Sequence, residues 1–351
     1  MIIGVLTLPL HTNIGGILQA YALYTTLERL GHKVYMLEKK KSIREKIKQI
    51  IKKILINGNK KNQETIDSQN FIRKYFHNWY YFKRKDKMNS FDALVVGSDQ
   101  VWRSWGKKWD VFQYYFDFTT DSSVKKYAYA ASFGKNDWMY SDIDTALIKS
   151  MAQKFKKISV REEGAVSLCK EYLDVEAEWL LDPTMLLVGK DYENLLPCKA
   201  KANSGLVCYF IGENEDNKVF FKSALDTTAS FFDNKWTIAN KKVHMPEKNK
   251  GLTFIENWLY NMMNASFVIT NSFHGVAFSI IFQKPFIVLS LEGGGMSRIN
   301  SILSMFGLKS RLAYKVEDIT NIINEKIDWN KILEIKETQR KQSIDFLKSI
   351  E

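Results

Sequence analysis

The stretch "ASFVITNSFHGVAFSIIFQKPFIVLS", from Ala265 to Ser290, contains two apolar runs that are rich in β-branched and aromatic residues. The first run is predicted to be a strand that ends at Thr270, Gly275 to Phe282 the following helix, and "KPFIVLS" the next strand. A strand, a helix and a second strand in this order are typical of a parallel sheet with a crossover helix. Ser272 and His274 lie at the break between strand and helix, so they are the first candidates for a binding site.

The same alternation runs through the rest of the chain and predicts an α/β fold with two domains. Ile2 to Thr7 is predicted to be a strand, Ile17 to Leu30 a helix, and "KVYMLE" a second strand that ends at Glu38. Phe71 to Trp79 is predicted to be an aromatic-rich helix. The further strand candidates are "FDALVVGSD", "KKYAYAASFG", "KKISVRE", "LVCYFIG", "KWTIAN" and "SFVIT". The small and polar composition from Leu196 to Gly205 is typical of a linker, and two open α/β domains place a ligand in the cleft between them.

The composition indicates a globular protein with anionic partners. A chain of 351 residues is longer than a single hydrophobic core usually supports, so two domains are expected. A content of 45% hydrophobic and 26% charged residues is ordinary for a soluble protein. The formal charge of +12 favours phosphorylated substrates, acidic lipid or nucleic acid as partners. The lysine-rich run lacks the interleaved aromatic residues of a nucleic-acid binder, so nucleic acid is not expected.

The cysteines and the first residues favour a cytoplasmic protein. Three cysteines form no C-x-x-C motif and cannot all pair, which is typical of a reducing compartment. The opening "MIIGVLTLPLHTN" has no basic segment and only a short apolar one, so it is predicted to be a strand and not a signal peptide. No uninterrupted apolar stretch reaches roughly 18 residues, so no membrane-spanning helix is predicted.

The loop "HTNIGGILQA" follows the first strand and is the first candidate site. Gly15 and Gly16 let backbone amides approach a ligand, and the following helix directs its positive end to the same space. The alternative is a tight turn between strand and helix with no ligand. The G-x-G-x-x-G spacing of a dinucleotide site is absent, although Glu38 lies where a ribose-binding acid can lie.

Two further polar segments follow predicted strands. Asp99, in "VVGSDQVW", either caps a helix with its carboxylate or accepts a proton or a hydrogen bond from a sugar hydroxyl. Arg161, at the end of "KKISVR", can hold a phosphate or carboxylate through two parallel hydrogen bonds. The alternative for Arg161 is a salt bridge with Glu162 or Glu163, although adjacent helix residues do not face each other well.

His274 is placed at the start of the predicted helix, where the helix dipole disfavours the charged imidazolium. A neutral imidazole there can act as a general base, and a bound phosphate beside it raises its pKa so that it can act as an acid. The alternative is a buried histidine that is hydrogen-bonded to a carbonyl. A metal site is not predicted, because no second histidine lies at ligand spacing and there is no cysteine cluster.

Six stretches taken together, in this order, resemble the polysaccharide pyruvyl transferase family. They are "NIGGILQAYAL", "FDALVVGSDQVW", "YAASFG", "ISVREEGAVSLC", "LDPTML" and "SFVITNSFHGVAFSIIFQKPFI", and they cover nearly the whole chain. The resemblance implies two Rossmann-like domains as in the B-type glycosyltransferases, with the ligand site in the cleft between them. Residues 1–198 then form the N-terminal domain on the acceptor side, with a basic amphipathic insert at 39–61. Residues 199–330 form the C-terminal domain on the donor side, and a helix in 331–351 packs back on the N-terminal domain.

The resemblance also implies the reaction. The donor is phosphoenolpyruvate, the acceptor is a hexose of a lipid-linked cell-surface polysaccharide precursor, the product is a pyruvate ketal, and no cofactor is needed. Such chemistry requires protonation of C3 of the enol, attack of two hydroxyls on C2 and loss of phosphate. An acid–base residue with a pKa near neutrality suits these proton transfers, and His274 is the histidine so placed. In the family, an arginine like Arg161 and a histidine like His274 are associated with donor binding and catalysis.

The expected site residues follow from the motifs and the resemblance together. His274 and Asp99 are predicted to be catalytic. The predicted donor-binding residues are Arg161, Ser272, Gly275 and Arg298, and the predicted acceptor-binding residues are Asn13, Gly15, Gly16, Gln19, Ser98 and Trp102. Some family members carry an arginine two residues before the histidine, where this chain has Ser272. We therefore expect Arg298, in the glycine loop "EGGGMSR", to supply the missing cation.

Two other functions stay open at this point. The first is a sugar-nucleotide-dependent glycosyltransferase of the same fold. Glu317 and Glu325 have the E-x7-E spacing of such enzymes, but they lie late in the chain and away from any glycine turn. The second is a non-enzymatic protein that binds anions or a membrane surface through its basic segment.

The basic segment "KKKSIREKIKQIIKKILINGNKK" predicts an amphipathic helix. Its isoleucines recur at three- and four-residue steps and give one apolar stripe; they are Ile43, Ile47, Ile50, Ile51 and Ile54. The helix either covers its own domain or lies on an anionic membrane surface. The second interpretation predicts a cytoplasmic protein that is peripheral on the inner face of the cell membrane, near a lipid-linked acceptor.

Overall fold

The computed structural model describes residues 1–40, 63–83, 86–106, 111–119, 121–197, 205–211, 215–233, 235–239, 252–290 and 296–351. The predicted insert at 39–61 lies outside the described residues from position 41 onward, and its first residue, Lys39, belongs to a strand. Most of the predicted linker and residues 291–295 of the predicted glycine loop also lie outside the described residues.

The first sheet consists of seven parallel strands in the order β3-β2-β1-β4-β5-β6-β7. The strands are β1 (Ile2–Leu6), β2 (Lys33–Lys39), β3 (Trp79–Phe82), β4 (Ala93–Asp99), β5 (Lys125–Ala131), β6 (Lys157–Val160) and β7 (Glu178–Trp179). The first six follow the doubly wound Rossmann order, in which the winding reverses between β1 and β4. Ligands of such sheets bind beyond the carboxyl ends of the strands at this reversal.

The second sheet consists of five parallel strands in the order β12-β11-β10-β8-β9. They are β8 (Leu206–Tyr209), β9 (Trp236–Ile238), β10 (Phe267–Thr270), β11 (Phe286–Leu289) and β12 (Leu312–Ala313). The winding of this sheet reverses between β8 and β10. The quoted stretch from Ala265 to Ser290 therefore forms β10, the following helix and β11, as its pattern predicts.

Eleven α-helices cover the sheets in the described part of the chain. They are α1 (Ile14–Arg29), α2 (Gln63–Tyr75), α3 (Asp142–Ala152), α4 (Glu163–Leu168), α5 (Gly189–Glu193), α6 (Glu215–Ser230), α7 (Phe254–Asn264), α8 (Phe273–Ile281), α9 (Met296–Met305), α10 (Glu317–Asn324) and α11 (Trp329–Lys348). None of these helices is long and apolar enough to span a bilayer.

Two helix boundaries differ from the sequence prediction for local reasons. Helix α1 begins at Ile14, three residues early, because the Asn13 side chain accepts a hydrogen bond from the Gly16 amide and caps the helix. The helix predicted for Phe71–Trp79 ends at Tyr75, and Trp79 begins β3. The pairing of β3 with β2 is a tertiary contact that the aromatic pattern of this segment does not encode.

The last helix, α11, packs on the first sheet. Its Phe346 ring lies 5.9 Å from the ring of Tyr129 in β5, and its Ser343 hydroxyl accepts a 3.1 Å hydrogen bond from the Leu181 amide. Phe346 and Leu347 are buried, and burying an apolar side chain of this size stabilises by about 1.5–3 kcal/mol. The chain thus returns to the first sheet after it has completed the second.

Candidate functional site

The carboxyl ends of three strands place a cluster of charged side chains where the two sheets meet. Asp99 is the last residue of β4, Arg161 follows β6 directly, and His274 is the second residue of α8, after β10. A Cβ atom placed on Gly15 would lie 2.5 Å from Cγ and 2.6 Å from Cε1 of His274. The start of α1 from the first domain therefore touches the start of α8 from the second.

Arg161 is the centre of a buried ion network. Its guanidinium donates to Asp182 Oδ2 at 2.7 Å and to Asp99 Oδ1 at 3.3 Å, and its Nε lies 3.6 Å from Glu162 Oε1. The guanidinium also lies over the ring of Phe273, 4.5 Å from its centroid. Burial by itself lowers the pKa of Arg161, but attraction to Asp182, Asp99 and Glu162 raises it above the ordinary value, so the side chain stays charged.

This network changes the role expected of Arg161. The predicted two-point contact with the donor needs free guanidinium nitrogens, but these nitrogens already face protein carboxylates. The salt bridge with Glu162 that the sequence left open does occur, at 3.6 Å, whereas Glu163 begins α4 instead. Arg161 is therefore placed to hold carboxylates in position, and its contact with a donor stays a prediction.

Asp182 and Glu162 are site residues that the sequence analysis missed. Asp182 is the N-cap residue of the 3-10 helix Pro183–Leu186, and its Oδ1 accepts from the amide and hydroxyl of Thr184. Burial raises the pKa of Asp182, but attraction to Arg161 and His274 outweighs this and leaves the pKa lowered. The sequence feature that could have identified Asp182 is the "LDPT" motif, because Asp before Pro, with Thr two residues after the Asp, is typical of a capped helical turn.

Glu162 is buried against Ser132, whose hydroxyl donates to Glu162 Oε1 at 2.6 Å. Its other oxygen, Oε2, has no hydrogen-bond partner among the described residues. Burial raises the pKa of Glu162, and the nearby Arg161 opposes the shift only in part. The side chain is therefore a buried carboxyl group at the floor of the charged cluster.

His274 lies between the network and α1. Its Nε2 is 3.9 Å from Asp182 Oδ2, too far for a hydrogen bond, and it has no hydrogen-bond partner among the described residues. Burial lowers the pKa of His274, and Asp182 opposes this only in part. A neutral imidazole with a bare Nε2 can accept a proton, which is the chemistry that the sequence predicted for this residue.

Arg298 lies in helix α9 and not in the glycine loop where the sequence placed it. Its Nε is buried without a hydrogen-bond partner among the described residues. Burial lowers the pKa of Arg298 to about 10, and repulsion by Arg161 adds to this, while attraction to Asp99 and Glu162 opposes it in part. An anion next to this guanidinium would relieve both costs.

Arg103 is a second cation near Arg298 that the sequence analysis missed. Its guanidinium stacks over Trp105, 4.1 Å from the ring centroid, and donates to Gln100 Oε1. Its Nε is also buried and without a hydrogen-bond partner among the described residues. Repulsion from Arg103 contributes to the lowered pKa of Arg298. The sequence feature that could have identified it is its place in "GSDQVWR", four residues after Asp99.

Three of the predicted acceptor-binding residues are buried in the protein and do not face a cleft. Gln19 donates from Nε2 to Thr7 Oγ1 and accepts from the Ser98 amide at 3.0 Å, so it joins the ends of β1 and β4. Ser98 is 0% exposed, and its hydroxyl lies 2.8 Å from the Ala130 carbonyl oxygen. Trp102 is also 0% exposed and stacks on Tyr115 at 5.0 Å. All three side chains are fully buried, and each supports the site through packing or hydrogen bonds, so their contact with an acceptor stays a prediction.

The other predicted residues lie around the cluster. Asn13 caps α1, and a Cβ on Gly16 would lie 3.5 Å from Asp99 Oδ2, so this turn borders the network. Ser272 is the N-cap residue of α8 without a side-chain cap, and its amide donates a 3.1 Å hydrogen bond to Thr270 Oγ1. A Cβ on Gly275 would lie 2.9 Å from Thr270 Cβ, so Gly275 lets α8 begin close to β10.

The helix cap by Asp99, one of the two alternatives for this residue, is not found. Asp99 ends β4 and is followed by a turn, so it does not cap a helix, and its carboxylate faces Arg161. In the described part of the chain, no group of three or more His, Cys, Asp or Glu side chains is arranged to hold a metal ion. The cluster thus offers an acid–base imidazole, paired carboxylates and two guanidinium groups without carboxylate partners among the described residues.

Comparison with solved structures supports the fold. The chain is similar to the UDP-GlcNAc 2-epimerase of Methanocaldococcus jannaschii, with 12% identity, a TM-score of 0.50 and 95% of each chain covered. It is also similar to MurG of Acinetobacter baumannii, with 9% identity, a TM-score of 0.45 and 99% of each chain covered. The two parallel sheets and the likeness to the epimerase define the two-domain α/β fold of the B-type glycosyltransferases.

The family follows from the sequence comparison. The family model of polysaccharide pyruvyl transferase matches residues 13–293. This range covers most of the chain and includes the start of α1, the arginine network and His274. The chain therefore belongs to the polysaccharide pyruvyl transferase family, which indicates a transferase of polysaccharide biosynthesis. A comparison with curated proteins found no significant match.

Proposed function

We propose that this protein transfers the pyruvyl group of phosphoenolpyruvate to two hydroxyls of one hexose in a lipid-linked polysaccharide precursor. The observation that supports this most is the position of His274. Its bare Nε2 lies beside the buried carboxylate of Asp182 while its ring touches the start of α1. A proton-transfer group is thus held at the contact between the two domains, next to guanidinium groups that suit a phosphorylated donor.

The reaction balances with the groups of this site. A proton is added to C3 of the enol, the first hydroxyl oxygen bonds to C2, and the second hydroxyl oxygen displaces phosphate by breaking the bond between C2 and the phosphate oxygen. Two hydroxyl protons are released, of which one replaces the proton given to C3 and one leaves with phosphate. The products are a pyruvate ketal and inorganic phosphate, and no oxidant or reductant is needed.

Arg298 and Arg103 are proposed to hold the phosphate of the donor. Ser297, which precedes Arg298, donates from its hydroxyl to the Gly134 carbonyl oxygen at 3.4 Å, and a Cβ on Gly134 would lie 2.9 Å from Arg103 Cδ. Gly134 therefore lies between the two arginines and keeps them close. Two guanidinium groups can neutralise a phosphate dianion with charge-assisted hydrogen bonds.

The backbone amides at the start of α8 are proposed to receive the donor's carboxylate. The helix begins at Phe273, and its first amides point out of the helix end, where the dipole favours an anion. Ser272, at the N-cap, makes no side-chain cap hydrogen bond and can add its hydroxyl to this contact.

His274 is proposed to move the protons. A phosphate bound beside it raises the imidazole pKa, so that the protonated ring can give its proton to C3. The ring is then neutral and accepts the proton of the attacking hydroxyl. Asp182, which Arg161 holds in place, stabilises the charged form of the ring during this cycle. Asp99, the second predicted catalytic residue, is proposed to act through Arg161, because its carboxylate pairs with that side chain.

One incubation tests the reaction class. The purified protein is mixed with phosphoenolpyruvate and lipid-linked glycan from the same cells, and phosphate release and glycan mass are measured. We expect phosphate release together with the mass gain of one pyruvyl ketal. Nucleotide release from a sugar nucleotide, without consumption of phosphoenolpyruvate, would instead establish a glycosyltransferase.

The proposed phosphate contact is tested by substitution. Arg298→Gln is expected to raise the KM for phosphoenolpyruvate by about tenfold or more, because a hydrogen bond to a charged group contributes about 1.5–3 kcal/mol. Arg73→Gln, which removes an exposed arginine of α2, is the control for charge alone. Equal KM values for the two variants would remove Arg298 from the donor site.

A further inference from the structure

A cavity lies at the carboxyl ends of β1 and β2, on the same edge of the first sheet as the charged cluster. Its volume is about 320 Å³, which is within the usual size of a small-molecule site. One wall is the loop that follows β1, from Thr7 to His11, and the opposite wall is the end of β2. Trp79 of β3 and residues of the 3-10 helix Val111–Tyr115 complete the lining.

The lining of this cavity suits a neutral sugar. Met36, Leu37 and the half-buried Trp79 indole give the lining its apolar surface. The carboxylate of Glu38 and the imidazole of His11 are exposed at the rim. An aromatic ring packs on the apolar C–H face of a pyranose, while carboxylate and imidazole groups accept hydrogen bonds from its hydroxyls. Glu38 and Lys39 carry opposite charges, so the lining has no net positive charge that would attract the phosphate of the donor.

The position of the cavity complements that of the charged cluster. The winding of the first sheet reverses between β1 and β4. The charged cluster lies on the side of β4 and β6, whereas the cavity lies on the side of β1 and β2. The loop that lines the cavity continues through Asn13 into α1, where Gly15 touches His274. A molecule in the cavity is therefore next to the segment that contacts the proton-transfer residue.

We propose that this cavity binds a hexopyranose of the acceptor glycan, with Glu38 and His11 on its hydroxyls and Trp79 against its apolar face. The assignment rests on the proposed function and specifies its acceptor site. It replaces Gln19, Ser98 and Trp102, which are buried, with residues that a sugar can reach. The donor and acceptor then occupy opposite sides of the strand reversal, and the start of α1 lies between them.

Two measurements test the cavity. In the first, saturation-transfer NMR without phosphoenolpyruvate uses the methyl pyranosides of glucose, galactose, mannose and N-acetylglucosamine as probes. We expect signal from at least one probe, and its loss in Glu38→Gln. In the second, turnover with lipid-linked glycan is expected to show a KM for the glycan that rises about tenfold in Glu38→Gln, because a charged hydrogen-bond acceptor is lost. The KM for phosphoenolpyruvate is expected to stay within twofold of the parent value.

The chain offers matched controls for both variants. Glu178→Gln removes an exposed glutamate of β7, at the opposite edge of the same sheet, and His77→Ala is the control for His11→Ala. If Glu38→Gln and His11→Ala match these controls while the parent releases phosphate, the cavity proposal is refuted and the proposed function stands. If no phosphate is released under any condition, the proposed function fails, and the NMR probes alone decide whether the cavity binds a hexose.

Discussion

Replacing Gly15 by alanine tests whether the contact between α1 and His274 is needed for turnover. The added Cβ would lie 2.5 Å from Cγ and 2.6 Å from Cε1 of the imidazole, whereas ordinary contact begins at 3.4 Å. The ring, or the whole start of α1, must therefore move by about 1 Å. A misplacement of this size at a reacting group can cost about 100-fold in rate, which corresponds to about 2.7 kcal/mol in the activation barrier.

The expected result is a fall of about 100-fold in kcat/KM for phosphate release, with a fold that stays intact. Alanine is a better helix former than glycine, so melting temperature and circular dichroism should match the parent. Gly189→Ala is the control, because Gly189 also lies in the first turn of a helix and its added Cβ would meet nothing closer than 3.5 Å. If Gly15→Ala kept its activity within about threefold of the parent, the contact with His274 would not be part of the mechanism.

Three further outcomes are expected. Burial lowers the pKa of His274 below 6.5, so below pH 6.5 the unfolded chain binds a proton that the native chain does not; stability should therefore fall as pH drops through this window, and His274→Gln should abolish turnover and flatten the stability profile. Arg161→Leu should lower the free energy of unfolding in urea by about 3–5 kcal/mol, because it leaves buried carboxylates unpaired. Arg29→Leu, at a half-exposed ion pair, should lower it by less than about 1 kcal/mol. Equal losses of unfolding free energy in the two variants would show that the buried ion network does not stabilise the fold. The protein should sediment with anionic vesicles at low salt, and replacing Ile47 and Ile51 by serine should reduce this sedimentation while turnover of a short soluble acceptor is unchanged. Equal sedimentation with neutral and anionic vesicles would indicate that the isoleucine stripe packs on its own domain.

The sequence by itself determined the parts of this protein that depend on neighbouring residues. The alternation of apolar runs predicts parallel strands with crossover helices, because side-chain periods of 2 and 3.6 are local properties of strand and helix. His274 was placed correctly at the start of a helix, since the boundary between β10 and α8 is visible in a few residues. The capped start of α1 needs only Asn13 and the amide three residues on.

The tertiary structure alone decided which of these local features meet. Arg161 pairs with Asp99, 62 positions earlier in the chain, and with Asp182, 21 positions later. These contacts depend on the order of β4, β5 and β6 in the sheet, which no local pattern encodes. The same holds for Trp102: its position after a strand suggested a site, but packing against Tyr115 buries it. Strand order sets which carboxyl ends are adjacent, and it is fixed by the burial of whole sheet faces and not by the residues of any one strand.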